Sequence, residues 1–114
     1  MPTWKTEPVA VQPTLTLRLW SVKELPGGDR HLVGYCRENA EGRVSSRVVT
    51  FDPAQGIVET ISGRVYRLCG RPGIDMDALY VWDAWCRMNH VDRARDVTEE
   101  VAEAMASASP GGAQ

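Results

Sequence analysis

The side chains with chemistry to offer are Cys36, Cys69 and Cys86, His31 and His90, the Ser45-Ser46 pair, and a set of carboxylates and arginines. A cysteine nucleophile needs a base and a group that orients the base. His31 and His90 could serve as the base, yet no local pattern marks any thiol as activated. A zinc site needs about four ligands, usually paired at short spacing, and His31 with Cys36 gives one close cysteine–histidine pair, short of that number. Ser45-Ser46 lacks a nucleophile-elbow context, no glycine-rich loop leads with a lysine into a helix, and the carboxylates form no recognisable acid–base pair. Buried small residues, turns and solvated surface account for all of these groups. The expectation is a protein that is not an enzyme and takes neither cofactor nor metal.

Binding through charge remains. Residues 1–71 carry 10 Lys+Arg against 7 Asp+Glu, a local +3, and residues 72–114 carry 3 against 8, a local −5. An acidic surface steers toward a basic partner, including a protein whose own ligand is nucleic acid. The carboxylates that would form it are Asp75, Asp77, Asp83, Glu99, Glu100 and Glu103. Acids also gather at helix N-termini for capping and solubility, which is the plainer account of the same residues. The alternative binding surface is basic. Arg43, Arg47, Arg64 and Arg67 fall on adjacent predicted strands and, with Tyr66 or Trp20, could offer a stacking platform for single-stranded nucleic acid. The net charge of −2 and the lack of an aromatic-basic motif weigh against direct nucleic-acid binding.

The elements that must position these groups are best specified between Ile57 and Asn89. Ile57, Val58, Thr60 and Ile61 precede Ser62-Gly63, and Val65, Tyr66 and Leu68 follow, the pattern of a β-hairpin. Gly70-Arg71-Pro72-Gly73 then ends the sheet, because proline lacks a donor and glycine has no side chain to pack. Asp75 or Asp77 can cap a helix over Met76 to Asn89. Ala78, Val81, Trp82, Trp85 and Met88 recur at three- and four-residue steps and form its predicted core face. Tyr80, Asp83 and Arg87 fall on the opposite, solvated face.

Earlier in the chain, Thr14 to Trp20 alternates strictly, which places Leu15, Leu17 and Leu19 on one face of a strand and Thr16, Arg18 and Trp20 on the other. Turn signals at Pro26-Gly27-Gly28-Asp29 and Asn39-Ala40-Glu41-Gly42 bound a second strand from Arg30 to Arg37. Arg43 to Phe51 reads as a valine-rich third strand. After the helix, Asp96 and Glu99 resemble a capping box opening a weaker second helix to about Ala106. The fold class expected is α+β: about five antiparallel strands in a meander or small curled barrel, packed by one C-terminal amphipathic helix and the weaker second one.

The length allows one domain, placed at residues 14–106, with 1–13 as a proline-fixed extended arm anchored by Trp4 and 107–114 as a flexible tail. No stretch approaches the roughly 18 apolar residues of a membrane helix, and the N-terminus lacks the apolar run of a signal peptide, so a cytoplasmic location is expected. Unpaired thiols fit that compartment.

GRVSSRVVTFD, VETISGRVYRLCGRPG and the tryptophan-bearing YVWDAWC together resemble small accessory proteins of phages, prophages and other bacterial mobile elements, over roughly residues 31–89. The resemblance implies a stoichiometric binder of anti-defence type, such as an anti-CRISPR inhibitor. Its partner would then be a protein complex with a basic surface, for example a CRISPR effector. A small nucleic-acid-binding or regulatory module using the sheet arginines is the second reading, and a structural subunit of a homo-oligomer the third.

Overall fold

The computed structural model describes residues 8–108. The arm with Trp4 over residues 1–7 and the tail from residue 109 lie outside the described residues. The order is β1 (Thr14–Glu24), β2 (Arg30–Cys36), β3 (Glu41–Val44), β4 (Val48–Asp52), β5 (Ile57–Thr60), β6 (Val65–Leu68), α1 (Met76–Met88), β7 (Arg95–Asp96) and α2 (Thr98–Ala108). This is an α+β architecture with one mixed sheet, ordered β3-β2-β1-β6-β5-β4, and β7 paired to β1.

The sheet is two three-stranded antiparallel meanders laid side by side, not one run of antiparallel neighbours. Their seam is the parallel pair β1–β6, with Thr14 opposite Val65 and Leu17 opposite Leu68. The valine-rich segment Arg43–Phe51, read as one strand, is two. Ser45 N donates to Leu32 O at 2.8 Å, and two residues later Arg47 O accepts from Ile61 N at 2.8 Å. Within that step the chain leaves β2 for β5 while keeping its direction, which is why the sequence looks uninterrupted. The short linker Ser45–Arg47 draws the two edges of the sheet toward each other, so the sheet is curled without closing. Ser45 stabilises the crossing: its Oγ accepts from Leu32 N at 2.9 Å and donates to Ser46 O at 2.7 Å.

The face assignment in β1 also differs from simple alternation. Pairing with β2 slips between Arg18 and Ser21, and Leu19 sits at φ 46. This bulge turns Leu19 outward and sends Trp20, 1% exposed, into the core beside Leu15 and Leu17. The exchange is favourable. A left-handed residue with a side chain costs about 1–2 kcal/mol, whereas burying an indole of roughly 200 Å² is worth about 5 kcal/mol at ~25 cal/mol/Å². The buried indole N–H is satisfied by Gly70 O at 3.1 Å.

The core is built from Leu15, Leu17, Trp20, Val22, Leu32, Cys36, Val58, Tyr66 and Leu68 of the strands, closed by Val97 and Val101. Ala102 and Met105 complete that contact. The second helix therefore roofs the leucine and valine layer, a place the sequence pattern assigns to Trp82 and Trp85. It runs to Ala108, two residues past the predicted end. Helix α1 lies on the other face of the β2–β3 pair. There Trp85 packs on His31 with ring centroids 4.6 Å apart, and Ala78 sits on Gly42, where any Cβ would overlap the Asp77–Ala78 backbone. Residues 8–13 are held against the body: Pro13 O accepts from Val65 N at 2.8 Å, and Gln12 O accepts from Arg64 Nε at 3.1 Å.

Candidate protein-binding surface around the first helix

Asp75 is the N-cap of α1, its Oδ2 accepting from Ala78 N at 2.9 Å, and Asn89 caps the C-terminal end. Between them the helix buries only Ala78 fully. Val81, Trp82 and Trp85 are half-buried, with the two indoles stacked at 5.4 Å and 11°. Met88, placed in the core face by spacing, is 77% exposed. It lines an open pocket with Val81, Ala84, Trp85 and strand β3 instead of being covered there.

The opposite face is not simply solvated. Ile74 (71%), Met76 (73%), Leu79 (42%) and Tyr80 (66%) are all exposed, and the bulge adds Leu19 at 46%. Leu19, Ile74, Leu79, Ala78 and Val33 line a groove of about 310 Å³ between the start of α1 and strand β1. Gly73 closes one side, its N–H donating to Trp20 O at 3.1 Å. Lys23 and Asp96, paired at 2.8 Å, stand at the polar end. An apolar centre inside a polar rim is the usual make-up of a surface that another protein covers.

The six carboxylates singled out from the sequence do not form one patch. Asp75, Asp77 and Asp83 belong to α1 and border the apolar surface. Asp75 is occupied as a cap, and Asp83 pairs with Arg87 one turn on. Asp77 makes no ion pair among the described residues, and its charge with burial raises the carboxyl pKa of Glu41, burial being the larger cause. Glu99, Glu100 and Glu103 belong to α2, on the other side of the sheet. Glu100 joins a network with Arg30 and Arg95 that also holds Glu24. In that network the hydrogen bond from Arg95, then that from Arg30, lowers the Glu24 carboxyl pKa.

The four arginines are dispersed as well. Arg43 points to the inner face, where its Nε donates to Tyr66 Oη at 2.9 Å. Arg64 is 6% exposed and bonded to the Gln12 carbonyl. Arg47 sits in the β3–β4 linker, 4.0 Å from Asp29. Of the four, only Arg67 faces outward from the middle of the sheet. Tyr66 and Trp20 are core residues, so neither can serve as a stacking platform.

His31 and Cys36 cannot share a metal ion, because they lie on opposite faces of β2. The His31 ring meets Trp85 while Nδ1 donates to Ser45 O at 2.9 Å, and Cys36 is in the core. Burial raises the thiol pKa of Cys36 and of Cys86, the latter with help from the Asp83 charge. Among the described residues no cluster of three or more histidine, cysteine or carboxylate groups is placed to hold a metal, and no helix is long and apolar enough to cross a membrane.

Reading one helical face as core and the other as solvated put Tyr80 on the exposed side, where it is, but left Ile74, Met76 and Leu79 unassigned, and strand alternation misplaced Leu19. The signal was present in α1 itself. Apolar residues at 76, 78, 79, 81, 82 and 85 cover far more than one stripe, and a helix apolar on most sides needs more than one neighbour. Comparison of the chain with protein families, curated proteins and solved structures returns no match.

Proposed function

We propose that this chain is a non-enzymatic binding protein that docks α1 and the Leu19 groove onto a basic, partly apolar surface of a protein partner. The observation that carries this reading is the adjoining exposure of Leu19, Ile74, Met76, Leu79 and Tyr80, bordered by Asp75, Asp77 and Asp83. Burying the apolar centre would supply most of the affinity, and the acids would select a basic partner and speed encounter. A phosphate-binding surface has that charge, so docking would compete with nucleic acid for it. An inhibitor of a host nucleic-acid-guided defence complex, including a CRISPR effector, is the partner class this favours, in line with the mobile-element resemblance.

The test is affinity capture from a bacterial lysate, repeated with the purified captured protein. Binding should fall at least tenfold in a Met76→Ser/Tyr80→Ser variant, weaken in Asp77→Asn, and be relieved by single-stranded oligonucleotide competing for the partner. Glu99→Gln/Glu103→Gln should bind like the parent. Unchanged affinity in the Met76/Tyr80 variant, or loss confined to the α2 acids, would overturn the reading.

A further inference from the structure

We infer that the open edge of β3, beside α1, is a docking site for an extended segment of a partner protein. The segment adds to the sheet as a further strand, anchored by a large apolar side chain with a lysine or arginine near it. Strand β3 ends the sheet order β3-β2-β1-β6-β5-β4. Along an antiparallel strand the backbone groups of successive residues point to alternate sides. Ser45 N donates to Leu32 O, so in the same register Arg43 and Glu41 are the residues that exchange bonds with Gly34 and Cys36. The N–H and C=O of Gly42 and Val44 therefore point away from β2, and neither residue has a hydrogen-bond partner on that side among the described residues. Donors and acceptors on alternate residues of an edge are what an added strand pairs with.

The edge opens into an apolar groove. Residues of β3 line one side of a pocket of about 210 Å³, and Val81, Ala84, Trp85 and Met88 of α1 line the other. Those helix positions recur at three- and four-residue steps, so they form one flank of α1 beside the strand. Gly42 lets the helix sit directly on β3, since any Cβ there would overlap the Asp77–Ala78 backbone. Side chains of an added strand alternate between faces, so a residue facing the helix enters the groove while its neighbours do not. This groove shares no lining residue with the Leu19 groove, and the two can be occupied independently.

The Glu41 end of the groove is acidic. Asp77 is close enough to help raise the Glu41 carboxyl pKa, burial being the larger cause, and Arg43 opposes both. Arg43 has its Nε turned to Tyr66 Oη on the inner face, and Arg87 further along α1 is paired with Asp83. Two carboxylates against one arginine favour a basic residue next to the apolar anchor. The opposite edge strand, β4, is bulged between Val48 and Thr50, a feature that discourages strand addition, whereas β3 pairs with β2 without a slip. A second copy adding its own β3 would bring only Gly42 and Val44 to the helix side, too little side chain to fill the groove.

The experiment is selection of short random peptides displayed on phage against the full chain, then fluorescence anisotropy with the selected peptide. Enriched peptides should share a large apolar residue with a lysine or arginine near it and lack proline around it. Val44→Pro removes an outward N–H without breaking an internal bond, and peptide affinity should fall about tenfold as the peptide's carbonyl loses its donor. Met88→Ser, at an exposed position, should weaken binding roughly fivefold, and it decides the matter if the proline variant is unstable. Glu41→Gln/Asp77→Asn should remove the preference for the basic residue. Met76→Ser/Tyr80→Ser should bind the peptide like the parent, so that failure here and failure of the Leu19 surface stay distinguishable. No enrichment, or full affinity in either folded variant, would overturn the inference. So would a dimer of the free chain that Val44→Pro makes monomeric, which would assign the edge to a second copy. Tighter peptide binding in Trp4→Ser would overturn it too, in favour of the chain's own N-terminus.

Discussion

The two helices illustrate opposite ways of using an amphipathic segment. Helix α2 has few large residues, yet Val97 just before it and Val101 within it are almost wholly buried, at 1% and 6%. Its start is fastened by Asp96 Oδ1 accepting from Thr98 N at 2.8 Å and by Thr98 Oγ1 accepting from Val22 N at 3.0 Å. Helix α1 carries two tryptophans and the stronger sequence signal, but buries only Ala78 completely. The helix with less apolar material closes the core, and the one with more sits on an outer face with apolar side chains to spare. What separates them is the shape of the site each meets. The inner side of a curled sheet surrounds whatever enters it, while the outer side of a short edge strand can touch a helix along one line only.

The sharpest way to break this contrast is to charge the core contact of α2. Val101→Asp places an unpaired carboxylate among apolar groups, and a loss of at least about 3 kcal/mol is expected; denaturant unfolding should show little folded protein at 37 °C. A folded, cooperative Val101→Asp variant would mean that α2 does not close the core. Next in size is Gly42→Ala. Its new methyl must displace the Asp77–Ala78 backbone, so about 1–3 kcal/mol of stability should disappear. Tryptophan fluorescence should shift as Trp82 and Trp85 move, and unchanged emission would show that α1 is not seated on β3.

By contrast, Met88→Ala and Tyr80→Ser on α1 should alter stability by no more than about 0.5 kcal/mol, because both side chains are largely exposed. A larger change in urea unfolding would mean they have a structural role. The smallest effect concerns pH. Burial works to raise the Glu38 carboxyl, but hydrogen bonds from Thr16 N and then Thr16 Oγ1 outweigh it and hold the pKa below its ordinary 4.5. A depressed carboxyl contributes stability above its unfolded value, and that contribution is lost as pH falls through the folded one. Glu38→Gln should therefore cost under about 1 kcal/mol at neutral pH, discounted for exposure, and the difference from the parent should vanish as pH drops below 4.5. A gap that persists at low pH would assign the effect to something other than ionisation.

Much of the fold was legible locally. The Ser62-Gly63 hairpin, the Asp75 cap and the span of α1 depend on neighbours within a few residues, and the structure has them where the pattern places them. The miss at Trp20 has a different origin. Alternation is a rule for a regular strand, and nothing in Thr14–Trp20 announces the bulge, whose stabilisation comes from Gly70 and the core, far along the chain. The break inside Arg43–Phe51 was hidden for a related reason: a strand that exchanges partners without turning leaves its own side-chain pattern intact. The binding surface suffered most. Charge counted along the chain grouped six acids, whereas the sheet passes between the two helices that carry them.

Composition and periodicity determined that this chain makes a β-rich unit followed by two helices, because turn residues, caps and apolar spacing act over short range. Which helix covers the core, which arginines are consumed inside, and which apolar residues remain for a partner were decided only by the tertiary structure. Those outcomes depend on competition for a limited buried volume, and the winner there is set by the curl of the whole sheet.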